Sequence, residues 1–310
     1  MHLKALGRVP CARGWLGRAL LSGGLLAPAA SSAHPSAPHA TGFADLPWSF
    51  EPWVIACLAI SAALYAFGLA RLWRHAGGGR GVRIGQAAAF GCGWLVLVLA
   101  LVSPLDPLGA HLFSAHMVQH ELLMIVAAPL LVLGRPLAVW AWALSVAQRR
   151  AIGRFFHRPA WRLPWQALTG PLAAWALHAV VLWLWHLPIL FDAALADEAV
   201  HALQHTSFLA SALLFWWSVL GAATRKGQGV ALLSLFTTMV HTGALGALLT
   251  LAPTPWYAPY QQTAPAFGWS ALEDQQLGGL VMWIPAGLVY VVCGLALAAD
   301  WLHGRPRTAN

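Results

Sequence analysis

The chain has 310 residues, of which 59% are hydrophobic and only 9% charged, with a mean hydropathy of +0.65. A soluble domain carries about a quarter charged residues, so composition excludes an ordinary soluble domain and points to a protein whose first partner is the lipid bilayer. The net charge of +8 does not indicate nucleic acid, because no basic stripe is interleaved with exposed aromatics, and the eighteen Trp suit a bilayer interface instead.

Lys4, Arg8, Arg13 and Arg18 precede a short apolar run, Ala19 to Ala30, and then Ser31-Ser32-Ala33. This is the pattern of a secretory signal over 1–33 with a small-residue cleavage site. An uncleaved anchor is the alternative, although the run is short for a span. Residues 34–49 form an extracytoplasmic segment. A membrane domain over 50–300 follows, and 301–310 is a cytoplasmic tail.

Apolar stretches long enough to cross a bilayer recur seven times, at 51–71, 84–103, 111–133, 170–188, 200–221, 230–251 and 277–299. The fold class expected is therefore all-α, a polytopic bundle of seven transmembrane helices. The connections after spans one, three and five and the segment after span seven hold fourteen of the eighteen Lys and Arg, including Arg149, Arg150, Arg154, Arg158 and Arg162. Those after spans two, four and six hold none, and carry Asp106, Asp192, Asp197, Glu198, Glu273 and Asp274. The positive-inside rule then puts the N-terminus outside and the C-terminus in the cytoplasm. Residues 137–147 are too short to cross and read as an interfacial helix on the cytoplasmic face. Pro129 and Pro285 should bend spans three and seven, while Gly243 and Gly246, with Gly278 and Gly279, allow close helix approach. Ser270-Ala-Leu-Glu273 is a capping-box pattern that starts the last helix at Ala271, with Asp274 in its first turn.

The cysteines lie singly, with no paired spacing, and no P-loop, GxSxG or HExxH sequence occurs. Histidine is the informative residue. Eight of the fourteen fall in or at the mouths of apolar spans: His111, His116, His120, His178, His186, His201, His205 and His241. Ionisable side chains are costly in a bilayer, so each poses a functional question. With the orientation above, His116 and His120 lie roughly 8 and 14 Å into span three at the helical rise per residue, and most of the others also sit in the outer half.

His116 and His120 share a helical face that Met124 extends, and His201 and His205 repeat the spacing. Imidazole suits copper, iron, zinc and nickel, and thioether sulfur shifts preference toward Cu(I). Met117, Met124, Met239 and Met282 are close to the histidines in sequence or depth. A single His in a membrane helix is more often an interhelical hydrogen-bond partner, and His111, His186 and His201 can be read as interfacial. Glu121 is the mid-span carboxylate, read as orienting an imidazole from the second layer, with proton carriage or neutral burial as alternatives. Asp274 is placed at the outer mouth, near His186 and His201, where a simple helix-start role is equally open.

Four stretches carry a family resemblance: HMVQHELLMIVAAPLLVLGRP (116–136), WLWHLPILFDAAL (183–195), LQHTSFLASALLFWW (203–217) and WYAPYQQTAPAFGWSALEDQQLGGLVMWIP (256–285). Together the chain resembles the multi-spanning CtaG-type, caa3-type cytochrome c oxidase assembly factors over residues 50–300. The resemblance implies a non-enzymatic, multi-pass protein of the bacterial inner membrane that matures a haem-copper oxidase, with copper as cargo and apo-oxidase subunits as partners. It singles out His116, His120, His186, His205, Asp274 and Met282; His241 joins the candidate metal ligands by depth and chemistry alone. Residues 1–49, with His34 and His39, lie outside the matching motifs. Two other readings stand beside this one: a bis-histidine haem protein that transfers electrons, and a metal permease.

Overall fold

The structure, a computed structural model, describes residues 46–221 and 225–303. The signal-like segment 1–33, most of 34–49 and the last residues of the tail lie outside the described residues.

All regular structure among the described residues is helical. The long elements are α1 (Pro52–Ala76), α2 (Ile84–Val102), a composite third helix, α9 (Pro171–Trp185), α11 (Glu198–Leu220), α12 (Arg225–Thr250) and α14 (Ala271–Leu302). The composite helix runs through α4 (Phe113–Glu121), a π-helical segment at Leu122–Ala127 and α5 (Ala128–Leu133). Short helices fill the connections: α3 (Leu105–Gly109), α6 (Pro136–Ala143), α7 (Val146–Phe156), α8 (Pro159–Leu168), α10 (Pro188–Ala196) and α13 (Tyr260–Thr263). Proline opens many of them, at 52, 136, 159, 171 and 188. Its missing N–H costs nothing at a helix start and its φ is already helical. The capping box at Ser270 forms as its sequence suggests, with Glu273 N–H donating to Ser270 Oγ at 3.2 Å and Ser270 N–H to Glu273 Oε2 at 3.0 Å.

Each of the seven apolar stretches contains a long helix, but they differ in how well they suit a membrane. Among the described residues, five helical segments are long and apolar enough to cross: 52–76, 84–102, 113–133, 227–250 and 271–302; α8 and α9, bent by 67° at their junction, form a sixth only if taken together. By itself α9 has 15 residues, short of the roughly 20 a span needs. The helix α11 has the length, at 23 residues, but its first half carries Glu198, His201, Gln204 and His205. These polar groups lower its hydropathy, and the burial of two of them, Gln204 and His205, hides part of that polarity inside the bundle.

The third helix is the hub. Two-thirds of its apolar window (67%) is buried, against 22–39% for the other four, so its neighbours surround it while they expose Leu, Ile, Val and Phe to the outside. It contacts α2, α11 and α14 along its length. Its break has an identifiable cause. Pro129 has no N–H to give, and in π register it would have bonded to the Met124 carbonyl. Trp216 of α11 supplies the missing donor, with Nε1 bonding to Met124 O at 2.9 Å.

Elsewhere, glycine sets the spacing. A Cβ on Gly246 would stand 2.8 Å from the Gly279 carbonyl oxygen, and one on Gly279 would stand 2.7 Å from that of Gly246. Helices α12 and α14 therefore touch backbone to backbone there, as the paired glycines suggest. Most of the stretch read as an interfacial helix, 137–147, is α6, which rests on α1 with Val139 as its one buried residue while Leu137 stays half exposed, and Arg71 donates to the Ala143 carbonyl at 3.0 Å. The helices with no buried residue are the next two, α7 and α8, which carry Arg149, Arg150, Arg154, Arg158 and Arg162 among exposed Phe155, Phe156, Trp161 and Trp165.

The connections segregate by end. Ser49 bonds to Val102, Tyr260 to Gly109, Thr263 to His111 and Tyr257 to His186. The loops without Lys or Arg thus gather at one end of the bundle, and the histidines gather beneath them.

Candidate functional site

Helix α4 begins without a capping side chain of its own, because the residue before it is Leu112. The orphan amides at its start are taken by Asp274 from the first turn of α14. Phe113 N–H donates to Oδ2 at 2.6 Å, while Ser114 N–H and Ser114 Oγ donate to Oδ1 at 3.0 and 2.5 Å. A carboxylate at a helix N-terminus satisfies these donors and complements the macrodipole. Asp274 thus faces backbone amides and no imidazole, and it fixes the helix on which His116 and His120 stand.

His116 and His120 are both 1% exposed. The His116 and His120 rings are 4.4 Å apart, and His205 of α11 brings its ring to 5.7 and 5.3 Å from the two of them. One nitrogen from each of the three residues lies within 4.8 Å of the others. Three nitrogens around a single ion, each at about 2.0–2.1 Å, lie at most about 4 Å apart. A small torsional adjustment would converge them.

The hydrogen bonds define which nitrogens are available. His116 Nδ1 faces the Gly109 carbonyl at 3.3 Å and the Tyr260 hydroxyl at 3.3 Å. Its Nε2 faces a second acceptor, Gln204 Oε1, at 3.3 Å, so both ring nitrogens of His116 stand opposite oxygens and these contacts do not fix its tautomer. His186 is simpler. Its Nδ1 bonds to the Leu182 carbonyl at 2.7 Å, and its buried Nε2 has no protein partner. A carbonyl behind a ligating imidazole is a common way to fix the tautomer of a metal site. His120 is the most telling residue, since neither of its ring nitrogens has a partner. Burying unsatisfied polar atoms costs about 1–3 kcal/mol each, and a bound ion would remove that cost for one of the two. His205 Nε2 is also buried without a partner.

Aromatic packing encloses the group. Phe191 lies 4.9 Å from the His116 ring and Phe208 lies 4.5 Å from the His120 ring, centroid to centroid. Tyr257 donates to the His186 carbonyl at 3.0 Å and Tyr260 to that of Gly109 at 2.8 Å. Burial pushes both phenols well above their ordinary pKa, with nearby carboxylates adding to it. They therefore remain protonated donors at every physiological pH.

The other candidate residues distribute unevenly. His186 is at the edge of the group, its ring 6.2 Å from that of His120. His241 is not brought to it. The main neighbours of α12 are α14 and α9, and His241 packs against Trp175, 6.1 Å away, close enough to His178 to act on it electrostatically. His178 in turn bonds to Ser211 Oγ at 3.1 Å. Met117, Met124 and Met282 belong to the apolar core, each nearly or fully buried. Glu121 is buried on a different face of α4 from His120, one oxygen without a partner, and acts electrostatically on Tyr290 of α14.

Two residues set aside or unmarked in the sequence lie beside the triad, outside it. His201 places its ring 4.1 Å from that of His205 and 5.4 Å from that of His116. Asp106 of α3 forms a second convergent set with His201 and His205, again with ligand atoms within 4.8 Å. The i, i+4 spacing of 201 and 205 was a usable signal for the first; nothing in sequence linked residue 106 to α11.

The comparisons with known proteins agree with this setting. The family model described as cytochrome c oxidase caa3 assembly factor matches residues 63–304. The chain belongs to this family. Curated proteins similar to it are the uncharacterized proteins Mb0105 of Mycobacterium bovis and MT0111 of Mycobacterium tuberculosis, each 27% identical over 274 residues, and ML1998 of Mycobacterium leprae, 25% identical over 273. These matches cover 84–85% of this chain but only 40% of each relative, so the chain spans well under half of their length. No solved structure matches it. All four resemblance stretches in this caa3 assembly factor fall inside the matched region, and so do the histidine group and Asp274.

Proposed function

We propose that this oxidase assembly factor is a non-catalytic copper carrier, which holds one copper ion on His116, His120 and His205 and releases it to an apo-oxidase subunit. The observation that carries the reading is His120, a buried imidazole with two unpartnered nitrogens between two other histidines. A site of three neutral ligands favours a singly charged ion, because every further charge in a dry interior adds a large desolvation cost. Cu(I) fits that charge and accepts imidazole ligands. His186, with its nitrogen held ready by Leu182, is the ligand nearest to join when the first three give the ion up. Release by ligand exchange would change neither the oxidation state nor the proton count of the copper.

The same reading takes the chain as seven spans, with α11 and the bent α8–α9 pair completing the set, in a bacterial inner membrane. The end rich in arginine is cytoplasmic, and the histidine end opens outside, where the copper centre of a client subunit would be filled. A bis-histidine haem is less well supported, because the rings of Phe191 and Phe208 occupy the flanks of the histidines where a porphyrin would lie.

The test is equilibrium binding of Cu(I), under reducing conditions with a competing chelator, to the full chain in detergent. The intact protein is expected to hold one equivalent. His120→Ala should weaken binding beyond the about 10–100-fold that an outer-layer change costs. An intact protein that takes up no copper would contradict the reading.

A further inference from the structure

The triad above is closed on almost every side, which raises the question of how an ion reaches it. Next to it lies a different kind of site. Asp106, His201 and His205 converge within 4.8 Å, and His205 is common to both groups. The two sets differ in what they offer. Asp106 and His201 are partly exposed, whereas His116 and His120 are 1% exposed. The first set carries a carboxylate and the second carries only imidazoles.

Resting on the copper reading above, we propose that Asp106, His201 and His205 form a loading site, from which the ion passes to His116 and His120 by ligand exchange about the shared His205. The chemistry of each set matches its place in that order. A carboxylate at a partly open mouth attracts a cation while it is still hydrated, and it compensates the first loss of water. A neutral imidazole set then takes the ion once water is excluded. The path is short, because the His201 ring stands 5.4 Å from that of His116 and 4.1 Å from that of His205. At each step one ligand bond forms as another breaks, the cation keeps its charge, and no proton moves.

The two sites are also held in register by one helix. Gln119, on α4 between His116 and His120, donates through its Nε2 to Asp106 Oδ1 at 2.8 Å and to the Ala100 carbonyl at 2.8 Å. Both amide hydrogens are committed, so Gln119 ties the loading carboxylate to the helix that bears the receiving ligands. It is a positioning residue in this scheme.

The experiment is rapid mixing of the full apo-protein with a coloured Cu(I)–chelator complex, following loss of the chelator absorbance, beside an equilibrium titration of each protein. Asp106→Asn, which keeps an oxygen for Gln119, and His201→Ala should each still bind one equivalent, with affinity near that of the intact protein. Each should load about tenfold more slowly, the lower end of the rate advantage that a charge-lined mouth provides. Loading at the unchanged rate would overturn the proposal. So would loss of the equilibrium site in either variant, which would make Asp106 and His201 ligands of a single centre. If the intact protein binds no copper, the carrier reading itself fails, and that outcome is separate from the other two.

Discussion

Asp274 shows how a residue distant in sequence sets the geometry of the histidines. Its three accepted hydrogen bonds start the helix that carries His116 and His120, 160 positions away. Asp274→Asn keeps the shape but turns an amide donor toward one of the amides it now accepts from, and loss of an N-cap costs about 0.5–2 kcal/mol. The variant should melt at a lower temperature in detergent and hold copper about 10–100-fold more weakly, as for a group that orients ligands. An unchanged copper affinity alongside lowered stability would confine Asp274 to the fold. The sequence allowed either an imidazole partner or a helix-start role; Asp274 does stand in the first turn of α14, and its carboxylate also caps the start of a different helix. Depth and spacing could not reveal this, because capping across helices depends on which helices are neighbours. The same limit explains His201 and Asp106, whose convergence depends on α3 lying over α11. It also explains His241, which shares chemistry with the site but packs against Trp175 instead.

At the level of elements, the hydrophobic pattern was a good guide to where helices lie, because long apolar runs can satisfy their backbone only within themselves. It was a weaker guide to their interruptions. Pro129 marked where the third helix changes register, but the π segment and its Trp216 partner depend on α11. The stretch at 137–147, read as interfacial because it is short and apolar, forms most of α6, which rests on α1 with Val139 as its one buried residue, and the exposed basic helices α7 and α8 follow it. Their position can be tested directly. With the natural cysteines replaced by Ser, Ala196→Cys at the end of α10 should react with a membrane-impermeant maleimide in cells whose outer barrier has been opened, and Ala151→Cys on α7 should react only after the inner membrane is permeabilised. The opposite pattern would invert the orientation and place the histidine end in the cytoplasm.

Among the described residues the bundle packs around its third helix, and that helix carries two of the three proposed ligands, His116 and His120. The family match covers the same region as the bundle, residues 63–304, so the site belongs to the part of the chain shared with other assembly factors. Class, helix positions and the His116–His120 pair were legible from composition, period and motif. The convergence of α3, α4 and α11 at one end was not, since no local pattern encodes which helices become neighbours. The measurement that tests the central claim most directly is the copper content of the client oxidase, purified from cells lacking this protein and supplied with either the intact chain or His120→Ala. The account predicts a copper-deficient oxidase with the variant, even when the variant accumulates in the membrane to the normal level, and partial recovery when copper is added to the medium. A fully metallated oxidase in the His120→Ala cells without added copper would contradict it.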